Sequence, residues 1–151
     1  MKAPESLMGF LSDSHLLPRD CEARRTADLI RQSFTLACNI YIRCAASADT
    51  VSRFHDTIQA QSIHQLIGII SQVPPSARGA HALVWVCFVA GAASSDQVQR
   101  DYFVERMEQV YERTRFRNIP AAIESLKTIW AQGHGTRFTM CISKLSNVLV
   151  M

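Results

Sequence analysis

Apolar positions along the chain recur at intervals of three and four, the period of a helix face. Past an irregular opening that ends near Pro18, the positions Ile30, Phe34, Ala37 or Cys38, Tyr41 and Ala45 follow this spacing. Leu29, Leu36 and Ile40 make a second stripe beside the first. The pattern predicts a central helix over Cys21 to Ala46, apolar around most of its circumference. Ser47 to Thr50 supply turn and cap residues. Val51, Phe54, Ile58, Ser62, Leu66, Ile69 and Val73 then mark one face of a second long helix. Pro74 and Pro75 stop it, because neither has an N–H to donate and residue 74 is pushed toward an extended backbone.

A third helix is expected from Ser76 or Arg78 to Gly91, with Leu83, Trp85, Val86, Phe88 and Val89 spread around its axis. Ser94-Ser95-Asp96-Gln97 has the form of a capping box, Ser94 bonding forward and Gln97 bonding back. It opens an amphipathic helix whose inward face is Val98, Tyr102 or Phe103, Met107, and Val110 or Tyr111. Asp96 and Arg100 stand in favourable i,i+4 order on its outside, and Arg113, Arg115 and Arg117 crowd its end, where the helix dipole favours cations. Asn118 caps the next helix, with Pro120 in its first turn; Ile119, Ile123, Leu126 and Ile129 or Trp130 form its buried stripe, and Gly133 stops it. A last segment repeats the pattern with Phe138, Cys141 or Ile142, Leu145 and Leu149. No alternating strand and no fixed-period repeat occurs. The fold class is therefore all-α: about six helices packed as antiparallel pairs, with residues 1–19 irregular and 20–151 one helical domain.

Composition sharpens this picture. The chain is 48% hydrophobic and 19% charged, where soluble domains carry about 25% charged residues. Disordered, collagen-like and polar low-complexity chains are excluded at this apolar content. The longest uncharged apolar run, Ala82 to Ala93, is twelve residues, whereas a bilayer span needs about 20. It suits a buried core helix, and no membrane contact is expected. Leu7 to Leu11, bracketed by Glu5 and Asp13, is too short for a secretory h-region. Cys21, Cys38, Cys44, Cys87 and Cys141 are odd in number, scattered and set in apolar stretches, as for buried reduced thiols in an intracellular protein.

Chemistry-bearing patterns are sparse. No C-x-x-C or H-E-x-x-H occurs, Cys38 and Cys44 are six apart, His55 and His64 are nine apart, and His134 lies between two glycines as a loop residue would. There is no G-x-S-x-G and no Gly-rich phosphate loop. Glu105, Glu108 and Glu112 fit a solvated face. Across residues 96–117 five arginines meet five acids, and the whole chain carries only +3, so Arg113, Arg115 and Arg117 mark a helix terminus rather than a phosphate contact. The expectation is a protein that is not an enzyme, with no cofactor, no metal ligand and no direct nucleic-acid contact from this chain.

One region is more specific. The segment from Gly79 through Trp85 and Phe88 to Gly91, then Ala92-Ala93-Ser94, resembles the core helix of the fungal-specific transcription factor domain, the helical regulatory region of fungal zinc binuclear cluster transcription factors. The pattern continues with a capped polar helix carrying an early Arg100, a turn over Thr114 to Asn118 that includes Phe116, the pair Ala121-Ala122, and a closing Ile129-Trp130. Two features depart from the family. Val86 stands where many members have Pro after the Trp, and the C-x2-C-x6-C opening of the zinc cluster does not occur.

The resemblance implies a nuclear, transcription-linked regulatory domain that looks like the C-terminal portion of a larger helical array. It implies contact with a protein partner or another copy. Trp85, Phe88, Gly91, Arg100, Phe116, Asn118 and Trp130 carry the motif and read as packing positions rather than ligands. The alternatives are a cytoplasmic helical interaction adaptor, a pocket around Trp85 and Phe88 for a small molecule, or a truncated fragment without function. Two helices apolar nearly all round, Cys21 to Ala46 and Arg78 to Ala93, together with the tail Val148 to Met151, point to a surface completed by something else.

Overall fold

Five α-helices and one 3-10 turn account for most of residues 18–46 and 53–132, the parts that the structure, a computed structural model, describes. In order they are α1 (Pro18–Ala46), α2 (Arg53–Ile70), the turn Ala80–Ala82, α3 (Leu83–Ala93), α4 (Gln97–Thr114) and α5 (Asn118–Ala131). The described residues are all-α. The sixth expected helix, with Phe138, Cys141, Ile142, Leu145 and Leu149, lies outside them, as do Gly133 and His134.

α1 and α2 pack as an antiparallel pair: Arg25 reaches Gln72 near one end, while Arg43 meets Ser62 and Cys44 meets Gln59 near the other. The central element is α3, which touches α1, α2, α4 and α5. Nine of its eleven residues are buried, and Trp85 and Ala93 partly so. Its apolar circumference is matched by neighbours on every side, as a helix with no polar face requires. Phe88 meets an interior that includes Phe103, Met107, Ile119 and Leu126 from α4 and α5.

Several expectations are corrected. α1 is peripheral rather than central: Leu29, Ser33, Ala37 and Ile40 are buried along one face, whereas Cys38 and Ile42, the latter 61% exposed, look outward. Among the described residues α2 and α3 are the elements that cover this helix substantially, and one stripe is enclosed. Of the face expected for α2, Ser62, Leu66 and the following Val73 are buried, but Ile63 and Ile70 join them in place of Ile58, which is exposed, and Ile69, which is half-buried. The Arg43–Ser62 and Gln59–Cys44 bonds hold α2 in this orientation against α1. Val51 and the side chain of Phe54 lie outside the described residues.

α2 also ends before the proline pair, its chain winding out through Ser71, Gln72 and Val73 with tight backbone bonds to Ile67, Ile69 and Ile70. α3 starts later than Ser76 or Arg78. Gly79 sits at φ 87°, a left-handed conformation that interrupts a right-handed helix, and regular winding resumes through the short 3-10 turn.

Candidate functional site

Three of the motif residues meet where α3 ends, α4 begins and α5 finishes. Gly91 is in the last turn of α3, and its carbonyl accepts the Trp130 indole N–H at 2.9 Å. A Cβ at Gly91 would stand 3.3 Å from a Leu126 methyl and 3.6 Å from the Phe103 Cβ, so a larger residue would have to press the Leu126 side chain aside by a few tenths of an ångström. Arg100 Nε donates to the Ser94 carbonyl at 3.0 Å, and its guanidinium lies over the Trp130 ring, 5.1 Å from the centroid. The Gly91 carbonyl also accepts the Ser94 N–H, so the indole is its second donor, while the guanidinium supplies a donor to the Ser94 carbonyl. The cation–π contact adds about 0.5–1 kcal/mol at a partly exposed site.

This geometry replaces two expectations. Ser94 does not cap α4: it is buried at the end of α3, with its hydroxyl turned back to the Ala90 carbonyl at 2.7 Å. Asp96 takes the cap position and accepts from the Val98 N–H, while Gln97 donates forward to Asp101 instead of back. Arg100, bound to Ser94 and Trp130, turns away from Asp96.

The remaining motif residues are dispersed. Trp85 is half-buried and stacks on Phe34 of α1, centroids 5.4 Å apart and nearly parallel. Phe88 is in the centre of the core. Phe116 is 43% exposed, contrary to a core assignment; its ring meets His81 edge-on at 6.1 Å. It follows Arg115, whose φ of 57° ends α4 and swings the next side chain outward. Asn118 does not cap α5: it is the first helical residue, Arg117 holds the cap position, and the Asn118 amide nitrogen is buried without a hydrogen-bond partner. The inward face of α4 holds Phe103, Met107 and Val110 as expected, but not Val98, which is 74% exposed.

Sequence reasoning missed Arg106. It was counted among arginines balancing acids on the surface, yet it is 7% exposed and donates from Nη2 to the Val73 carbonyl, tying α4 to the turn after α2. Its Nε is buried without an acceptor. The available signal was spacing, for Arg106 falls in the stripe of Phe103, Met107 and Val110. Beside it Tyr102 shares a hydroxyl contact of 2.8 Å with Ser71, and burial raises the Tyr102 phenol above its ordinary pKa against the opposing pull of that bond.

The thiols are equally diverse. Cys87 is enclosed, and burial pushes its pKa up to about 12 despite the nearby Arg106 charge. Cys44 is half-buried and raised by desolvation, partly offset by the Gln59 amide that donates to its sulfur at 2.9 Å. Cys21 and Cys38, expected to be buried, are exposed. Nucleophilic work needs a thiolate, which neither Cys44 nor Cys87 favours. Among the described residues no group of three or more His, Cys, Asp and Glu gathers to hold a metal, and no helix is long and apolar enough to cross a membrane.

With Arg100 and Arg106 drawn inward, the outside of α4 is not neutral. Asp101, Glu105, Glu108 and Glu112, spaced by four, three and four residues, share one exposed face and make no ion pair among the described residues. The far end presents exposed Arg113, Arg115 and Arg117 around Phe116, with Arg115 resting over the Tyr111 ring at 5.5 Å. The candidate site is this polarised surface, because the motif residues at the α3–α5 corner have committed their polar groups to one another.

Residues 8–140 match the family described as the fungal specific transcription factor domain. No curated protein and no solved structure matches the chain.

Proposed function

The chain belongs to the family of fungal-specific transcription factor domains, and from that premise we propose that it is a nuclear regulatory module acting through protein contacts. The observation that carries this reading is the family match over residues 8–140. Two features of the molecule support it. Gly91, Arg100 and Trp130 are joined to one another and to Ser94 at the meeting of three helix ends, as packing residues are. The polar surface is built for recognition, with acids along α4 and arginines at its end. The module changes transcription by what it binds, without a zinc cluster formed by its own cysteines and without touching DNA itself.

A reporter assay tests this. The chain fused to a heterologous DNA-binding domain changes reporter output relative to that DNA-binding domain alone, and a fluorescent fusion concentrates in the nucleus. Unchanged output together with cytoplasmic distribution contradicts the proposal and favours a helical adaptor with no transcriptional role.

A further inference from the structure

We infer that the basic turn between α4 and α5 is a docking surface for an acidic peptide of a partner protein, one that carries an apolar side chain among its carboxylates. The inference rests on the reading of the chain as a module that acts through protein contacts; its physical basis is what stands around Phe116.

Two stretches meet there. Phe116, 43% exposed, touches His81 edge-on at 6.1 Å, so the turn after α4 lies against the turn Ala80–Ala82. Neither stretch holds an acid: none occurs from residue 57 to 95 or from 113 to 123. Arg78, His81, Arg113, Arg115 and Arg117 are all exposed, and none of them makes an ion pair among the described residues. Arg115 only rests over the Tyr111 ring. By contrast Arg25, Arg31, Arg100 and Arg106 each donate to a named acceptor within the fold.

A helix terminus explains part of this charge. The dipole of α4 favours Arg113 and Arg115 at its C-terminal end. Arg117 is past that end, in the cap position of α5, with no side-chain cap bond. There a helix dipole disfavours a cation, and Ser, Thr, Asp or Asn is the residue that would satisfy a backbone N–H. Beside it an aromatic ring is left in water. Two neighbouring residues thus work against the stability of the chain alone, and such departures from local rules gather at functional surfaces. Carboxylates laid over the arginines relieve the first, through the paired hydrogen bonds a guanidinium offers. An apolar side chain set against Phe116 relieves the second.

The extent of the charge selects the class of partner. A nucleic-acid strand carries its charge on without a break, and one running along α4 would meet Asp101, Glu105, Glu108 and Glu112. A short acidic peptide ends within the basic corner, and the acids on the neighbouring face repel whatever overshoots it. Exposed charge pairs are individually weak and screened by salt, so the contact is reversible and strongest at low ionic strength.

Fluorescence anisotropy of the full chain tests this, with a short labelled peptide of Asp and Glu around a central Leu and Phe. The chain binds it, and the dissociation constant rises about tenfold or more when salt goes from ~0.05 M to ~0.5 M. Arg115→Glu with Arg117→Glu weakens binding about tenfold or more. Phe116→Ser weakens it about threefold, yet leaves unchanged the affinity for a peptide whose Leu and Phe are replaced by Ser. Glu105→Gln with Glu108→Gln binds as tightly as the wild-type chain or more so. These positions are exposed, and circular dichroism confirms helical content in each variant. No binding at ~100 μM chain and low salt overturns the inference. So does an affinity indifferent to the arginine reversal, or a single-stranded oligonucleotide that binds more tightly than the peptide. A chain that ignores the peptide but still alters reporter output removes this surface and leaves the regulatory reading intact; peptide binding without transcriptional effect does the reverse.

Discussion

Arg106 carries a full charge into a place where water hardly follows. Its Nη2 satisfies the Val73 carbonyl, while Nε finds no acceptor, so the residue is both a clamp between α4 and the turn after α2 and a local energetic debt. Truncation to Ala removes the clamp, orphans the carbonyl and opens a cavity. A loss of about 2–4 kcal/mol in urea unfolding is expected, against a smaller loss for Arg106→Met, which keeps the volume and removes the desolvated charge. Cys87 gives a pH signature next to it. Its thiol ionises at about 12 in the fold and near 9.0 when solvated. The unfolded chain therefore loses its proton first, so the contribution is fully present below pH 9 and is lost as pH rises toward 12. Urea midpoints measured at pH ~8 and ~10.5 fall in the wild-type chain, and fall less in Cys87→Ala. Equal slopes for the two chains would show that the buried thiol does not govern the alkaline limb.

Helix caps decide the next scale. Asp96, accepting from the Val98 N–H, holds the start of α4. Asp96→Ala costs about 1 kcal/mol in unfolding free energy, while Gln97→Ala, which the capping-box reading would make comparably harmful, changes stability by a few tenths at most. Equal losses at the two positions would restore the capping box. Periodicity made the helices themselves legible, and the stripe Ile119, Ile123, Leu126 and Ile129 of α5 was read correctly. What the pattern could not fix was rotation and role. Ser94 has an N-cap residue's chemistry, yet its hydroxyl is nearer the end of the preceding helix. Val98 fits the apolar period of α4, yet it is 74% exposed in the first turn of that helix. Gly79 gave no periodic signal, although its left-handed backbone sets where α3 can begin.

At the scale of the molecule, the excess of apolar over charged residues finds its main explanation in α3, surrounded by α1, α2, α4 and α5. The bare face expected on that helix does not exist. The large apolar side chains left exposed among the described residues, Ile42, Ile58, Val98 and Phe116, lie on different elements. The family was readable because its motif is a packing pattern, and the order of Trp85, Gly91, Arg100 and Trp130 survives in sequence even though Gly91 and Trp130 make their bond across 39 positions. The polarity of α4 was not readable, since counting charges cannot show which arginines turn inward. Regulation by surface contact is therefore most directly tested by output from a promoter to which the chain is tethered. Reporter output that departs from that of the DNA-binding domain alone, in a fusion shown to be folded and nuclear, is the expected result. Output indistinguishable from the DNA-binding domain alone, from a folded nuclear fusion, would contradict it.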